Sequence, residues 1–360
     1  MQRFPNFSAG PGKLPDPVME KIKNEMFDYQ GRGFSIIEIS HRSSLFFEIY
    51  QQSQYLFKKL LNLSDAYKIL YVHGGASLQF AMIPLNFLKT GVAGYVDTGV
   101  WSSKALAEAK AYGEIRILAS SKEKNYSYIP AFTPEMLSED LSYVHITTNN
   151  TIYGTQYKNY PNTGKIPLIA DASSDFLSKE IDLKPFHCIY GANQKNLGVS
   201  GIGFTVIRED FIQSPALNCS WNLQYKTYAD QDSMNNTPNT FGIYVLKLVL
   251  EWLFEKGGLK AQEKENEEKA ALLYRTIDQS QGFYKNQVVV PARSLMNVPF
   301  FLPSQELDAK FVREAEANQL SFLKGHKTVG GIRASIYNAT RLNEVKMLTD
   351  FMQHFWKIYG

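Results

Sequence analysis

Lys195 lies in the run Tyr190-Gly191-Ala192-Asn193-Gln194-Lys195-Asn196-Leu197-Gly198, 24 residues beyond Asp171, which closes the apolar run Pro167-Leu168-Ile169-Ala170. An acid at the end of one strand and an amine in the turn after the next have a particular chemistry open to them. The amine forms a Schiff base with an aldehyde, and the carboxylate keeps a pyridine nitrogen protonated so that the ring acts as an electron sink, the use that pyridoxal 5'-phosphate makes of such a pair. For any single Lys–Asp pair the plainer reading is a solvated loop lysine, so the surrounding elements must decide.

Further residues extend the same chemistry. Gly74-Gly75-Ala76-Ser77 follows a strand and opens a helix, where free backbone N–H groups and the helix dipole can hold one phosphate, although most Gly-Gly pairs are only tight turns. It is neither a P-loop nor a dinucleotide fingerprint. Trp101 can stack on a pyridine ring or serve as a core aromatic. Asp171, in Ala170-Asp171-Ala172-Ser173-Ser174, can be a pyridinium partner or a helix N-cap. Lys195 needs a lowered pKa to act as nucleophile and then as base, and burial with nearby cations supplies that. At the substrate end stand His41-Arg42, His326-Lys327 and Arg333; His326, Lys327 and Arg333 fall in the glycine-rich stretch Lys324 to Arg333. Arginine suits carboxylate and phosphate, and such clustering suits a small substrate with two anionic ends.

These residues need a frame that brings them together. From about residue 67 to 207 short β-rich runs alternate with helical ones: strands over 67–72, 92–97, 115–119, 143–148, 168–171, 187–190 and 201–207, with helices over 78–88 and through 105–110. This predicts βαβ units and an α/β fold with a mainly parallel sheet flanked by helices. Ligands in such sheets bind beyond the carboxyl ends of the strands, where Gly74-Gly75, Asp97-Thr98, Asp171 and Lys195 all fall. The polar stretch 217–241 reads as structureless, the mark of a functional or partner-wrapping segment. An amphipathic helix is expected from near Phe241, and a charge-dense, solvated helix from Gly257-Gly258 to about Arg275. After Phe283 a strand, a helix over 307–319, a glycine-rich turn and a terminal helix predict a smaller C-terminal α+β domain. The expected division is a large domain over 14–260 and a small one over 261–360, joined by the segment 1–13.

Composition narrows the class. The chain has 360 residues with 44% hydrophobic and 20% charged residues and a net charge of +3, spread without a basic block. Nucleic acid is therefore not an expected partner. Cys188 and Cys219 form no C-x-x-C pair, and the six histidines show no ligand spacing, so no metal is expected. The N-terminus lacks a signal-peptide core, and the apolar stretch 245–254 is too short and too charged for a membrane span, leaving the cytoplasm as the default.

Taken as a set, Phe7-Ser8-Ala9-Gly10-Pro11-Gly12, Ser40-His41-Arg42-Ser43, Gly74-Gly75-Ala76-Ser77, Asn149 to Gly154, Gln194-Lys195-Asn196, Asn236-Thr237-Pro238-Asn239-Thr240 and Gly325 to Ala339 resemble the phosphoserine aminotransferase family of class V aminotransferases. The resemblance covers almost the whole chain, in the family's order. It implies a fold-type-I pyridoxal phosphate enzyme, active as a homodimer with its sites at the subunit interface. It implies amino transfer between L-glutamate and 3-phosphohydroxypyruvate, with 4-phosphohydroxy-L-threonine of vitamin B6 synthesis as a possible second substrate. By the same matches Lys195 is the Schiff-base lysine, Asp171 the pyridinium partner and Trp101 the stacking ring. Ala76, Ser77 and Gln194 hold the cofactor phosphate, Thr151 bonds the ring hydroxyl, and Asn236 and Thr237 reach that phosphate from the other subunit. His41, Arg42, His326, Lys327 and Arg333 bind substrate.

Rival readings are weaker: a cysteine desulfurase needs a mobile reactive cysteine, an alanine-type transaminase needs fewer cations, and a catalytically dead binding protein would have lost Lys195 or Asp171. Lys327 departs from the family, where many members carry arginine. Lysine keeps the charge but loses the planar fork, so the grip on phosphate is less strict while the reaction type is retained. Exchanging Lys327→Arg is accordingly expected to lower KM for the phosphorylated substrate, and an unaltered KM would remove the idea.

Overall fold

In the computed structural model of the protein, which describes residues 3–360, two helices, α1 (Asp16–Glu25) and α2 (Ser44–Leu61), precede the first strand. The first two residues of the segment 1–13 lie outside the described part. Ser43 caps α2 by accepting from the Phe46 N–H, and Asn62 ends it in the left-handed conformation. Then follow β1 (Tyr67–His73), α3 (Gly75–Phe87), β2 (Val92–Asp97), α4 (Val100–Ala109), β3 (Glu114–Ser120), β4 (Val144–Thr147), β5 (Leu168–Asp171), β6 (Phe186–Ala192) and β7 (Ile202–Arg208).

These strands form one seven-stranded sheet in the order β1-β7-β6-β5-β4-β2-β3. Only β7 runs against its neighbours; the other pairings are parallel. Every residue of β4 and β5 is buried, as both faces of a parallel sheet must be when helices cover them. Alternate residues feed opposite layers. Ile69, Tyr71, Leu168, Ala170, Ile189 and Val206 join a core with α1, α2 and the later helix 240–255. Leu70, Val72, Ile169, Cys188, Tyr190 and Ile207 join another with α3 and α4. The strand expectations therefore hold to within a residue or two at their ends, although helix α3 begins at Gly75, three residues before its first large apolar side chain.

Three expectations fail beyond β7. The stretch 217–241 contains a short helix, α5 (Tyr225–Asp230), because Tyr225 and Tyr228 anchor it in the α3 core. Helix α6 (Thr240–Glu255) is not amphipathic: Gly242 to Leu250 are all buried, and Lys247 is accommodated by an ion pair to Glu251 at 2.6 Å. Helix α7 (Gly258–Asp278) is only partly solvated, since Gln262, Asn266 and Lys269 are buried along one side. The rest comprises β8 (Asn297–Phe300), α8 (Gln305–Ala317), β9 (Ile332–Ser335) and α9 (Leu342–Tyr359), with β8 and β9 paired antiparallel. Strand β9 lies in the stretch read as a glycine-rich turn. A further core joins the second half of α7 to β8, α8, β9, α9 and Phe7.

The N-terminal segment straps this part to the sheet. Phe7 N–H donates to Ser321 O and Phe7 O accepts from Ser335 N–H, each at 3.1 Å. Gly12 N–H donates to Gln194 O at 2.7 Å, and a Cβ at Gly12 would stand 2.8 Å from Lys195 O and 2.9 Å from the Tyr337 ring. Lys13 then pairs with Glu344 at 2.5 Å, both side chains 1% exposed.

Buried Lys269 donates to Ile336 O, Tyr337 O and Thr340 O at 3.1, 2.8 and 2.9 Å. Three acceptors match the three donors of an ammonium and so favour the charged form, against the burial that lowers the pKa of this amine to about 7. Lys269→Met strands these carbonyls; each buried acceptor left without a partner costs about 1–3 kcal/mol. Denaturant unfolding of that variant is expected to show a loss of about 3 kcal/mol or more, and a loss under about 0.5 kcal/mol, the level of an ordinary surface change, would refute the assignment.

Candidate active site

One pocket at the carboxyl edge of the parallel strands gathers Gly74, Gly75, Ala76, Ser77, Trp101, Thr151, Asp171, Gln194 and Lys195 in its wall. The folding logic is local at each point. Strand β1 ends at His73, and Gly74 turns the chain with φ of +80°, a conformation that costs an ordinary residue. Helix α3 then starts with no side-chain cap, leaving its first N–H groups free for an anion at its positive end. Strand β2 ends at buried Asp97, whose carboxylate accepts from Ser102, Ser103 and Tyr126 hydroxyls at 3.0, 2.7 and 3.1 Å. Those bonds hold the first turn of α4, and with it Trp101.

Asp171 ends β5 and is 5% exposed. Its Oδ1 accepts from the Ser173 backbone N–H at 2.9 Å and the Ser173 hydroxyl at 2.6 Å. The N-cap alternative fails, because residues 173–177 form turns and no helix follows. Burial pushes the Asp171 carboxyl above its ordinary range, while Ser173 and the Lys195 charge act against this. A cation placed against Asp171 keeps it ionised, which is what a protonated ring nitrogen does.

Lys195 follows β6 and donates to Thr151 Oγ1 at 2.7 Å. Its pKa falls to about 8, chiefly because protein surrounds the amine; Asp171 opposes the fall and Arg333 adds to it. Trp101 stands with its ring centroid 6.0 Å from the Lys195 amine. Arg333, on β9, donates to Thr151 O at 3.4 Å and so reaches the same pocket from the C-terminal part. His326 shares that neighbourhood: burial first, then Arg333, Lys327 and Lys104, holds its imidazole below the ordinary range.

The residues fit pyridoxal phosphate on features of their own. Trp101 Nε1, Thr147 Oγ1 and Gln194 Oε1 are buried polar atoms without a protein partner, and all three residues line this pocket. Buried polar atoms are rarely left so, and a polar ligand satisfies them. A phosphate matches the start of α3, a cationic ring nitrogen matches Asp171, and an aldehyde matches Lys195.

Seven residues expected at the site lie outside the pocket wall, His326 and Arg333 among them. His41 and Arg42 sit in the turn before α2, with Arg42 exposed. Asn236 and Thr237 are exposed, and Asn236 Oδ1 lies 3.0 Å from His73 Nε2. Lys327 is exposed on the loop before β9. Conversely, Phe80, Thr147, Asn149, Ser173 and Ser174 line the pocket and were not anticipated. Ser173 carried a readable signal, two residues beyond an aspartate as an Asx turn requires. The others gain their place only from tertiary packing.

A sheet edge with this lysine, acid and anion cradle defines a pyridoxal-phosphate-type aminotransferase site. A family model described as aminotransferase class-V matches residues 5–348, and the chain belongs to that family. It is 48% identical over 356 residues to phosphoserine aminotransferase of Bacillus cereus, covering 99% of each chain. It is 46% identical over 360 residues to that of Halalkalibacterium halodurans, covering 100% of both. Among solved structures, phosphoserine aminotransferase from Bacillus circulans subsp. alkalophilus matches with a TM-score of 0.96 at 45% identity, covering 100% of both chains. The pyridoxal-phosphate-bound enzyme of Trichomonas vaginalis matches with a TM-score of 0.92 at 36% identity, covering 98% of this chain and 100% of that one.

The lowered pKa of Lys195 has a direct readout. Below about pH 8 the amine is protonated and not nucleophilic, so the rate at which cofactor-free protein takes up pyridoxal phosphate is expected to rise as pH increases through about 8. Arg333→Gln removes a cation that lowers this pKa, so its midpoint should move upward. A midpoint near the ordinary lysine value, insensitive to Arg333, would contradict this electrostatic account.

Proposed function

We propose that the chain transfers the amino group of L-glutamate to 3-phosphohydroxypyruvate, giving O-phospho-L-serine and 2-oxoglutarate, the transamination of serine biosynthesis. The observation that carries this reading is the desolvated Lys195 amine sharing one pocket with buried Asp171 and the uncapped start of α3, with Arg333 and His326 at its side. Pyridoxal phosphate, when bound, supplies the electron sink for a bond broken at the substrate Cα.

The remaining steps belong to the protein. Lys195 would hold the cofactor through its amine, and that amine would move a proton to and from the substrate Cα, work suited to a pKa near the operating pH. Asp171, oriented by Ser173, holds the proton on the ring nitrogen. Ala76, Ser77 and Gln194 would hold the cofactor phosphate, Thr151 the ring hydroxyl and Trp101 the ring face. Arg333 orients one substrate carboxylate, and its planar fork restricts the approach to one geometry. Phosphohydroxypyruvate and glutamate each carry two anionic ends, so one cationic pocket serves both half-reactions in turn.

The active unit in this reading is a homodimer. His41, Arg42, Asn236 and Thr237 stand outside the pocket of their own chain, which supports their acting in the site of the second copy. Exposed Phe27, Phe34, Ile37 and Phe47, at 89, 39, 56 and 45%, flank the His41-Arg42 turn and offer it an apolar contact surface. Within each subunit the division into a large domain, 14–260, and a small one, 261–360, places the pocket beside the boundary, with Arg333 supplied from the small side.

Visible absorbance of the cofactor-loaded protein tests the reading. The band should bleach with L-glutamate and recover with 3-phosphohydroxypyruvate but not with pyruvate, and Lys195→Ala should abolish this cycle. Protein that remains colourless after incubation with pyridoxal phosphate, or a band indifferent to both substrates, overturns it.

A further inference from the structure

Lys104 stands three residues beyond Trp101 on α4, so the two side chains are neighbours on the helix surface. Its ammonium lies 4.8 Å from the centroid of the Trp101 ring, the same ring that the Lys195 amine approaches at 6.0 Å. Lys104 is exposed and has no carboxylate partner among the described residues. Its charge bears on His326 together with those of Arg333 and Lys327. Lys104, Lys327 and Arg333 thus all act on one imidazole, and Arg333 bonds Thr151 O in the pocket wall. The one acid in that wall, Asp171, is held by Ser173 and in the proposed function would face the ring nitrogen. Like charges held together repel, and a bound anion relieves that repulsion.

The geometry points to Lys104 as a further substrate-binding residue, one that takes the phosphate end of the substrate and sets the preference for a phosphorylated over a doubly carboxylated partner. This rests on the transamination proposed above. The ring positions the ammonium without using its N–H donors, so all remain available to oxygen. A phosphate monoester carries about −1.5 to −2 charge near neutral pH, whereas a carboxylate carries a single one. An added cation at the mouth therefore favours phosphate more. With lysine and not arginine at position 327, this second ammonium restores charge where the planar fork is lacking.

The test uses the cofactor-loaded, full-length protein in single-turnover half-reactions, with O-phospho-L-serine and with L-glutamate as separate probes. Lys104→Gln is expected to raise the half-saturating concentration of O-phospho-L-serine roughly fivefold to tenfold, as loss of a charge-assisted contact does. That of L-glutamate should change less than twofold, with the saturating rate constant held in both cases, and Lys104→Arg should restore the phosphoserine value. The difference should also shrink as salt is added, because the mouth is open to solvent. An equal rise for both substrates, a lower saturating rate from a displaced Trp101, or no change at all overturns the role of Lys104. If the unsubstituted protein itself reacts with L-glutamate but not with O-phospho-L-serine, the proposed function falls instead, so the two failures are distinct.

Discussion

The Lys195 amine is surrounded by protein, between a carboxylate that favours its charge and a guanidinium that opposes it. Desolvation is the larger effect and works against the charged form; Asp171 moderates it and Arg333 reinforces it. Such a balance depends on where three side chains stand, and these come from β5, from the turn after β6, and from β9. Much of the architecture can be understood as what holds them. The parallel strands end along one edge, so Asp171 and the Lys195 turn emerge side by side. The antiparallel pair β8–β9 brings Arg333 to the same place from the far end of the chain.

Buried amides hold the two parts in register. Asn196, next to the lysine, accepts from Asn338 N–H at 3.0 Å, and the Asn338 side chain donates to Leu177 O at 2.8 Å. Asn266 donates to Ser178 O and to the Asn338 side-chain Oδ1 at 2.8 and 2.9 Å. Lys269 gathers the carbonyls on either side of Asn338. Each of these groups is costly to bury alone, and together they are mutually satisfied. The turn that carries Lys195 is therefore tied on its far side to α7 and to the chain after β9, so that movement of one is transmitted to the other.

These same amides explain where the amino-acid sequence was legible and where it was not. Buried parallel strands are short, nearly continuous apolar runs closed by a polar residue, so the amino-acid sequence alone places Asp97, Asp171 and the Lys195 turn at one edge. Helix α7 reads as a solvated, charge-dense helix, because nothing local marks Gln262, Asn266 and Lys269 as the buried members of that run; their partners lie some 70 to 90 residues away in the chain. Helix α6 was misread for a related reason: Lys247 suggests a wet face, but Glu251 one turn on lets the helix sit among apolar neighbours. At the site, chemistry-bearing residues such as Lys195, Asp171 and Trp101 were readable from type and position. Thr147, Asn149 and Phe80 were not, being ordinary residues that packing brings into the pocket wall. Asn236 and Thr237 entered through family resemblance, His41 and Arg42 through their charge as well, and a single chain leaves all four outside its own pocket.

The strap formed by the first residues has a consequence for how the molecule comes into being. Gly12 lies against the Lys195 carbonyl, Phe7 is held between Ser321 and Ser335, and Lys13 is buried against Glu344. Residues 7–13 thus have their resting place among residues that leave the ribosome long after them. Until residues 321–344 have been made, the strap has nothing to close upon, and the lysine turn lacks its cover. Long-range closure of this kind is slow relative to local helix formation. Closure of the strap over the Lys195 turn therefore waits on the chain from Ser321 to Glu344.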